Sequence, residues 1–164
     1  MNKIAVFPGS FDPFTIGHES IIKRALSLFD KIVIAIGYNT TKKGFFPLET
    51  REKWIRGVFA GEGRISVQTY PSLTVDFCKQ INARYIIRGL RTAADFEYER
   101  AIGQMNKALN ADIETVFLLT APEYSAVNST IVRDIIRHEG NASIFLPNYL
   151  KNEIYNPVKN AGGK

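Results

Sequence analysis

The chain of 164 residues carries a net charge of +5, and hydrophobic residues make up 45% of it. No apolar run reaches the roughly 20 residues that a membrane-spanning helix needs, and the run from Ile4 to Phe7 stops at Pro8, which argues against a secretory signal. The one cysteine, Cys78, excludes an intrachain disulfide and a zinc site built from several thiolates, and favours a cytoplasmic protein.

The predicted elements alternate between strands and helices. Continuously apolar runs rich in Ile and Val predict strands buried on both faces, and amphipathic patterns predict helices between them. In chain order we expect strand 3–7, helix 17–29, strand 31–37, helix 48–60, strand 64–70, helix 74–83, strand 84–89, helix 93–109, strand 115–120, helix 129–138 and a short helix after Pro147. This order predicts an α/β fold with a doubly wound, five-stranded parallel sheet. Residues 1–157 are expected to form a single domain, and 158–164 a flexible tail.

Ligands of doubly wound sheets bind outside the carboxyl ends of the strands, so the residues after each strand are informative. The first strand is followed by "PGSFDPFTIGH", residues 8–18, which does not match the dinucleotide fingerprint G-x-G-x-x-G. Gly9 and Pro13 constrain this turn. Gly17 precedes His18 at the expected start of a helix, where unpaired N–H groups and the helix dipole attract anions. The stretch predicts a rigid anion site with an imidazole beside it, although a tight loop with an incidental surface histidine is the alternative.

Three other strand ends also carry groups that suit phosphate. Two adjacent lysines follow the second strand, two arginines flank a glycine after the fourth, and a helix cap follows the fifth; the residues are Lys42, Lys43, Arg88, Gly89, Arg91, Asn128, Ser129 and Thr130. Each could also be an ordinary solvated face, surface ion pair or cap. Glu99 could pair with one of the arginines or contact a ligand hydroxyl. Together they indicate a ligand with several phosphates.

The net positive charge alone would suit nucleic acid, a membrane surface or a phosphorylated small molecule. Here the cations lie at strand ends and are not interleaved with exposed aromatic residues, as a stacking platform for nucleic acid would need. We therefore expect a small-molecule ligand, no nucleic acid and no membrane partner.

At these residues the sequence resembles a known family. "TIGH" (15–18) and "VNSTIVR" (127–133) are similar to the T/H-x-G-H and I-S-S-T-x-x-R motifs of the nucleotidyltransferase superfamily. "FPGSFDPFTIGH", "TKKGFF", "IRGLRTAADFEYE" and "YSAVNST" together resemble, in order and in spacing, the bacterial phosphopantetheine adenylyltransferases over about residues 3 to 150. Three positions depart from the usual pattern. Ser10 replaces a common threonine, Ala126 a usual phenylalanine and Asn128 a usual serine, which keeps the capping ability but changes a nucleotide contact.

The resemblance implies a Rossmann-like nucleotidyltransferase fold and transfer of AMP from ATP to 4′-phosphopantetheine. The products would be dephospho-coenzyme A and pyrophosphate, in the penultimate step of coenzyme A biosynthesis. It also implies Mg²⁺ carried with ATP, a homohexamer, and coenzyme A as a feedback inhibitor. No protein metal ligand is expected.

The resemblance implies residue roles as well. Ser10, Lys42 and Arg88 match positions that bind the phosphate of phosphopantetheine, and Leu73 and Thr74 match positions near its pantetheine arm. ATP-binding positions are matched by Ser10, Phe11, His18, Gly89, Leu90, Arg91, Glu99, Tyr124, Ser125, Ala126, Val127, Asn128, Ser129 and Thr130. The catalytic set is His18, Lys42 and Arg88, with His18 at the position of the transition-state stabiliser.

The implied chemistry agrees with the pattern of charges. The attacking phosphate oxygen is already anionic near neutral pH, so the site must position two polyanions and stabilise charge on the α-phosphoryl oxygens. Two alternatives stay open. Another small-molecule nucleotidyltransferase, acting on nicotinamide mononucleotide or glycerol phosphate, would share the first and last motifs but not "IRGLRTAADFEYE". A non-catalytic nucleotide or nucleic-acid binding module would bind oligonucleotides in a salt-sensitive way without turnover.

Overall fold

The computed structural model describes residues 2–156 as a five-stranded parallel sheet with strand order β3-β2-β1-β4-β5 and helices on both faces. In chain order the elements are β1 (Ile4–Gly9), α1 (Ile16–Ala25), β2 (Lys31–Gly37), α2 (Leu48–Val58), β3 (Ile65–Tyr70), α3 (Thr74–Gln80), β4 (Tyr85–Leu90), α4 (Ala93–Leu109), β5 (Glu114–Leu119), α5 (Ser129–Arg137) and α6 (Asn148–Tyr155). Short 3₁₀ turns cover Pro122–Tyr124 and Ser143–Phe145. The doubly wound parallel sheet is confirmed. The expected tail, 158–164, lies outside the described residues.

The two faces of the sheet carry separate apolar clusters, because successive strand residues point to opposite sides. Ala5 and Phe7 of β1 belong to a cluster that α1, α2, α5 and α6 cover. Val6 lies between them in sequence and belongs to the other cluster, with α3. The helix α4 lies on this second face, where its Glu99 pairs with Arg88 of β4. The continuously apolar strands therefore reflect burial on both faces.

The centre of the sheet is only partly paired. All of Ile4–Gly9 aligns with β2, whereas the described pairs between β1 and β4 are Ala5 with Tyr85 and Val6 with Ile86. Beyond Val6 the two strands diverge, and a crevice opens between their carboxyl ends. In a doubly wound sheet this is the position where the strand order reverses and a ligand binds.

Most predicted boundaries are within a few residues of the observed ones, and two differences matter for the site. The strand expected at 3–7 continues through Pro8 to Gly9. Proline lacks the N–H of a strand residue, but β4 has already diverged at this point, so Pro8 needs no donor on that side. The helix expected at 17–29 begins at Ile16 and ends at Ala25.

The C-terminal helix packs on the helix that follows the second strand. The ring of Tyr149 in α6 lies so close to Gly57 in α2 that a Cβ at Gly57 would be 2.2 Å from it. Lys53 and Glu153 form an ion pair of 3.0 Å across the same contact. Among residues 2–156, no helix is long and apolar enough to cross a membrane.

Candidate active site

Two cavities open at the carboxyl edge of the sheet. The first, of about 370 Å³, lies in the crevice between β1 and β4 and extends to the start of α5. The second, of about 230 Å³, lies on the α4 side. They share a wall formed by Pro8, Gly9, Ser10, Arg88 and Glu99. The arrangement fits two ligands that meet at this wall.

Many of the residues predicted for the site line these cavities. The first cavity contains Ser10, Phe11, His18, Arg88, Gly89, Arg91, Glu99, Val127, Asn128, Ser129 and Thr130. The second contains Ser10, Thr74, Arg88 and Glu99. The structure thus brings together the ends of β1 and β4 and the start of α5, as the strand-end argument predicts.

Six predicted residues do not line either cavity. Lys42 is exposed in the loop after β2, Leu73 is 61% exposed, and the Leu90 side chain is buried. Ser125 and Ala126 are exposed, and Tyr124 lines a separate cleft of about 470 Å³ between α1 and α6. Their proposed roles remain predictions.

Close packing shapes the turn after β1. The ring of Phe11 lies against Gly9, where a Cβ would be 2.8 Å from the ring. Phe11 has a positive φ of 46° and is buried. Its ring centroid is 5.4 Å from that of Phe14 and 5.2 Å from that of His18. Gly9 is therefore needed because no side chain fits beneath the ring that supports His18.

The imidazole of His18 is fixed by the residue that caps its own helix. Thr15 is the N-cap of α1, and its hydroxyl accepts the His18 N–H. In return, the Thr15 N–H donates to His18 Nδ1 over 3.0 Å. Because Nδ1 accepts this hydrogen bond, the neutral ring carries its proton on Nε2. His18 lines the first cavity, so the site includes an imidazole whose remaining donor is Nε2–H.

Burial and neighbouring cations keep this imidazole neutral. Phe7, Phe11 and Phe14 surround the ring. Desolvation, followed by the positive charges of Arg91 and Arg88, lowers the pKa of His18 from 6.5 to about 4. At neutral pH His18 can donate one hydrogen bond from Nε2 and is not a cation.

The lowered pKa predicts a loss of stability in acid. Below pH 6.5 the unfolded chain binds a proton that folded His18 does not bind until about pH 4. The free energy of unfolding therefore holds its full His18 contribution above pH 6.5. This contribution falls as the pH drops towards 4, by up to about 3 kcal/mol. Denaturant unfolding at pH 7 and pH 4.5 should show that His18→Asn loses less stability in acid than the wild type. His138→Asn, at the end of α5, is the control; equal acid sensitivity in wild type and His18→Asn would contradict the assignment.

Arg88 links the two sides of the crevice. Its Nε donates to Glu99 over 2.7 Å and its Nη2 donates to the other Glu99 oxygen, so the pair is bidentate. Its Nη1 donates to the Pro8 carbonyl over 2.8 Å. Glu99 is buried, with 8% of its surface exposed. Of the two roles open from the sequence, the structure places Glu99 in an ion pair with Arg88, which fixes the guanidinium at the shared wall.

Arg91 is held in a similar way at the mouth of the first cavity. Its Nε donates to Asp95 over 3.0 Å, and its backbone N–H donates to the same carboxylate over 3.1 Å. Burial raises the pKa of Asp95, but the hydrogen bonds from Arg91 outweigh it and the net shift is downward. Asp95 was not among the predicted site residues, although its spacing of four from Arg91 on a helix start is typical of such a pair.

The start of α5 completes the first cavity. Asn128 is its N-cap, with Oδ1 accepting the Ile131 N–H over 2.9 Å, which confirms the predicted cap. The Ser129 hydroxyl donates to the Pro13 carbonyl over 2.8 Å. Arg133 donates from Nη1 to the Asp12 carbonyl over 2.6 Å. Two side chains of α5 thus tie its first turns to the loop after β1.

The capping geometry makes Asn128→Ser a test of the nucleotide contact that the sequence resemblance implies for this residue. Serine caps as well as asparagine, so the free energy of unfolding should change by less than about 0.5 kcal/mol. If the first cavity binds the ATP that the sequence resemblance implies, any effect should appear in the KM for ATP, because Asn128 lines this cavity. Steady-state kinetics and thermal unfolding would measure both. A large fall in turnover at saturating ATP would instead mean that Asn128 acts in the chemical step.

Several other residues near the cavities were missed from the sequence, among them Thr120, Tyr70 and Asp12. Thr120 lines the first cavity. It was expected to be the last residue of the strand 115–120, but β5 ends at Leu119, so Thr120 is the first residue after the strand. Asp12 lies under the loop after β2, where its carboxylate accepts two backbone N–H groups. No sequence pattern marks this role, since the partners are more than thirty residues away.

The described residues contain no group of three or more His, Cys, Asp or Glu side chains placed to hold a metal ion. The carboxylates that line the first cavity, Asp95 and Glu99, are both paired with arginines. A divalent cation in this cavity would therefore depend mainly on oxygen ligands that a substrate brings.

Comparison with known proteins gives a consistent result over most of the chain. The cytidylyltransferase-like family model matches residues 6–135. The chain is 52% identical over 143 residues to a phosphopantetheine adenylyltransferase of Flavobacterium psychrophilum, covering 87% of this chain and 94% of that protein. It is also 52% identical over 138 residues to one of Leptospira biflexa, covering 84% and 86%.

Solved structures share the fold at low identity. A bifunctional NMN adenylyltransferase/ADP ribose pyrophosphatase from Francisella tularensis matches with a TM-score of 0.71 and 19% identity, over 94% of this chain and 49% of that one. A provisionally assigned nicotinate-nucleotide adenylyltransferase from Vibrio parahaemolyticus matches with a TM-score of 0.71 and 18% identity, over 95% and 100%. These likenesses establish the architecture.

Proposed function

Because the chain belongs to the cytidylyltransferase-like family, and within it to the phosphopantetheine adenylyltransferases, we propose that it transfers AMP from ATP to 4′-phosphopantetheine, giving dephospho-coenzyme A and pyrophosphate. The observation that carries this function is the pair of cavities with a common wall at Ser10 and Arg88. A reaction between two phosphorylated substrates needs two adjoining pockets and a cationic group between them.

ATP is assigned to the first cavity and the pantetheine arm to the second. The first cavity offers Arg91, the His18 imidazole and the start of α5, whose unpaired N–H groups favour phosphate. The second contains Tyr70 and Thr74, whose hydroxyls lie 2.9 Å apart, together with apolar surface from Ile86 and Ile102. An arm with amide groups and short apolar segments suits this mixture.

The residues of this chain act by position and charge. Arg88 holds the acceptor phosphate at the shared wall, with Lys42 approaching from the loop after β2. Nε2–H of His18 donates to the α-phosphoryl group, where negative charge increases as the acceptor oxygen attacks in line and pyrophosphate leaves. No side chain is required as a base, because the attacking oxygen is already anionic.

Mg²⁺ is proposed to be bound by the phosphates of ATP, in keeping with the paired state of Asp95 and Glu99. When bound, the ion would neutralise phosphate charge. Chelation should therefore abolish turnover while leaving the unfolding midpoint of the ATP-free protein unchanged. Turnover and thermal unfolding with and without EDTA would measure this. A midpoint that falls with chelator in the absence of ATP would contradict it.

We propose a homohexamer in the cytoplasm, with coenzyme A as a feedback inhibitor that competes for the acceptor cavity. Support for self-association comes from α4, whose one buried residue is Glu99, and from the edge strand β5. Four large apolar side chains of these elements, Tyr98, Met105, Leu109 and Leu119, are 62–71% exposed. Exposed apolar groups on this scale favour a protein interface. Sedimentation at several concentrations would test the assembly.

A pyrophosphate-release assay with ATP and a panel of acceptors tests the function. Release with 4′-phosphopantetheine, and little with nicotinamide mononucleotide or glycerol phosphate, is the expected result. Preference for another acceptor would replace the substrate but keep the reaction class. Oligonucleotide binding without turnover on any acceptor would overturn the enzymatic assignment.

A further inference from the structure

The loop between β2 and α2, residues 38–47, carries Lys42 and is fixed at both of its ends. In its first half, Asn39 Oδ1 accepts the Thr41 N–H over 2.8 Å and the Thr41 hydroxyl over 2.7 Å. The Asn39 carbonyl accepts the Lys42 N–H over 3.3 Å. The backbone from Asn39 to Lys42 is therefore folded into a local turn that follows β2.

The second half of the loop is held by Asp12, which belongs to the turn after β1. Its Oδ2 accepts the Phe45 N–H over 2.7 Å, and its Oδ1 accepts the Phe46 N–H over 2.9 Å. The residue is buried, with 8% of its surface exposed. Hydrogen bonds to a carboxylate shielded from water are stronger than those between neutral groups, so this contact is a firm anchor.

A second buried side chain, from α2, also joins the turn after β1 to the end of this loop. Arg51 of α2 donates from Nη1 to the Ser10 carbonyl over 2.6 Å and from Nε to the Phe46 carbonyl over 3.1 Å. Gly44 passes between the two anchors: a Cβ there would be 3.0 Å from Asp12 Oδ2 and 3.1 Å from Arg51 Nη2. The chain just after Lys42 thus follows a tightly defined path.

We infer that Asp12 is a positioning residue that acts through Lys42, by holding the loop after β2 where its ammonium group can meet the acceptor phosphate. This rests on the proposed function. Lys42 itself is exposed, and a long side chain on a free loop would lose much conformational freedom on binding. Because the backbone on both sides of Lys42 is already fixed, the backbone part of this conformational entropy is not lost on binding. The Asp12 carbonyl also accepts a hydrogen bond from Arg133 of α5. Asp12 therefore contacts both the loop that carries Lys42 and the helix beside the proposed ATP cavity.

The substitution Asp12→Asn tests the inference with little change in shape. The amide has one acceptor oxygen, so one of the two loop N–H groups would face an NH₂ donor. We expect the KM for 4′-phosphopantetheine to rise on the order of tenfold, and the KM for ATP to stay within about twofold of the wild type. Equal changes for both substrates, or no change for the acceptor, would overturn the inference.

Asp30→Asn is the control for the loss of a carboxylate that accepts a backbone N–H, at an exposed position. Asp30 Oδ2 also accepts a backbone N–H, from Lys3 over 2.7 Å, but at the opposite end of the sheet. This variant should keep both Michaelis constants. A rise in acceptor KM as large as that of Asp12→Asn would show a general effect of losing such a carboxylate and would overturn the positioning role.

A double-mutant cycle separates positioning from a structural role. If Asp12 acts through Lys42, then Asp12→Asn should change the acceptor KM little in a Lys42→Ala background, within about twofold. The same fold-change in acceptor KM in both backgrounds would mean that Asp12 does not act through Lys42, and would overturn the inference.

Amide hydrogen exchange gives a readout that does not depend on turnover. Phe45 and Phe46 should exchange faster in Asp12→Asn than in the wild type and in Asp30→Asn; unchanged protection would overturn the inference whatever the activity. If Asp12→Asn does not fold, Gly44→Ala displaces the loop from the carboxylate without removing a buried charge, and should raise the acceptor KM in the same way. A wild-type protein inactive on 4′-phosphopantetheine would overturn the proposed function but leave the exchange test of the anchor standing.

Discussion

His18→Ala is expected to lower kcat by about 100- to 1,000-fold, roughly 3–4 kcal/mol, by comparison with the loss of one oxyanion donor. The neutral imidazole offers one donor, Nε2–H, since Thr15 occupies Nδ1. Charge on the outer α-phosphoryl oxygens increases as the phosphorus becomes five-coordinate. A donor that binds more strongly in the transition state than in the ground state raises turnover, not affinity. Single-turnover kinetics and calorimetry with ATP should therefore separate a large loss of rate from a small change in affinity.

His18→Asn is the informative companion variant. Its amide can supply one N–H donor, so part of the lost rate should return if a single donor is all that the site requires. Thermal unfolding should accompany both variants, because His18 also participates in the cap of α1. Normal turnover in His18→Ala, or a failure explained entirely by lost ATP binding, would refute the role assigned to this residue.

Arg88→Ala should weaken acceptor binding and destabilise the fold at the same time. The acceptor phosphate would lose its guanidinium partner, at a cost on the order of 2–5 kcal/mol. Glu99, which is 8% exposed, would be left without that partner. Since the Arg88 side chain is 28% exposed, we place the loss of stability at about 2–4 kcal/mol, below the cost for a fully buried pair. That loss would lower the Tm by roughly 5–15 °C.

Lys42→Ala provides the matched comparison. Lys42 is exposed, so its loss should raise the KM for 4′-phosphopantetheine with little change in Tm. Adding Glu99→Gln to Arg88→Ala should restore part of the stability, since no unpaired charge would then be buried, but should not restore acceptor binding. Equal weakening of ATP and acceptor in Arg88→Ala would argue against the division of the two cavities between the substrates.

The sheet, and the position of the cavities at its carboxyl edge, were predictable from the sequence because both follow from local patterns. Continuous apolar runs mark strands covered on both faces, and parallel strands bring their carboxyl ends to one edge. Arg88, Arg91 and the cap at Asn128 were found in this way, and they line the same cavity.

Contacts between distant parts of the chain could not be predicted in this way. The sequence suggested that Glu99 could pair with an arginine, but nothing in the spacing shows that Arg88 would also donate to the Pro8 carbonyl, or that Asp12 would bind the backbone of the loop after β2. The extension of β1 through Pro8 also depends on a neighbouring strand, because proline is tolerated there only where β4 has diverged. These details arise from tertiary packing, which sequence periodicity does not encode.

The divergence of β1 from β4 also has a mechanical consequence. On one side of it β3, β2 and β1 form a continuous hydrogen-bonded ribbon, and on the other side β4 and β5 form a second one. Between them the described backbone pairs join only Ala5 with Tyr85 and Val6 with Ile86. Where β1 and β4 have separated, the hydrogen bond from Arg88 to the Pro8 carbonyl connects the two strands. A substrate that contacts both the loop at Ser10 and the end of β4 would therefore join the two ribbons. The two ribbons would then move less relative to each other than they do in the free protein.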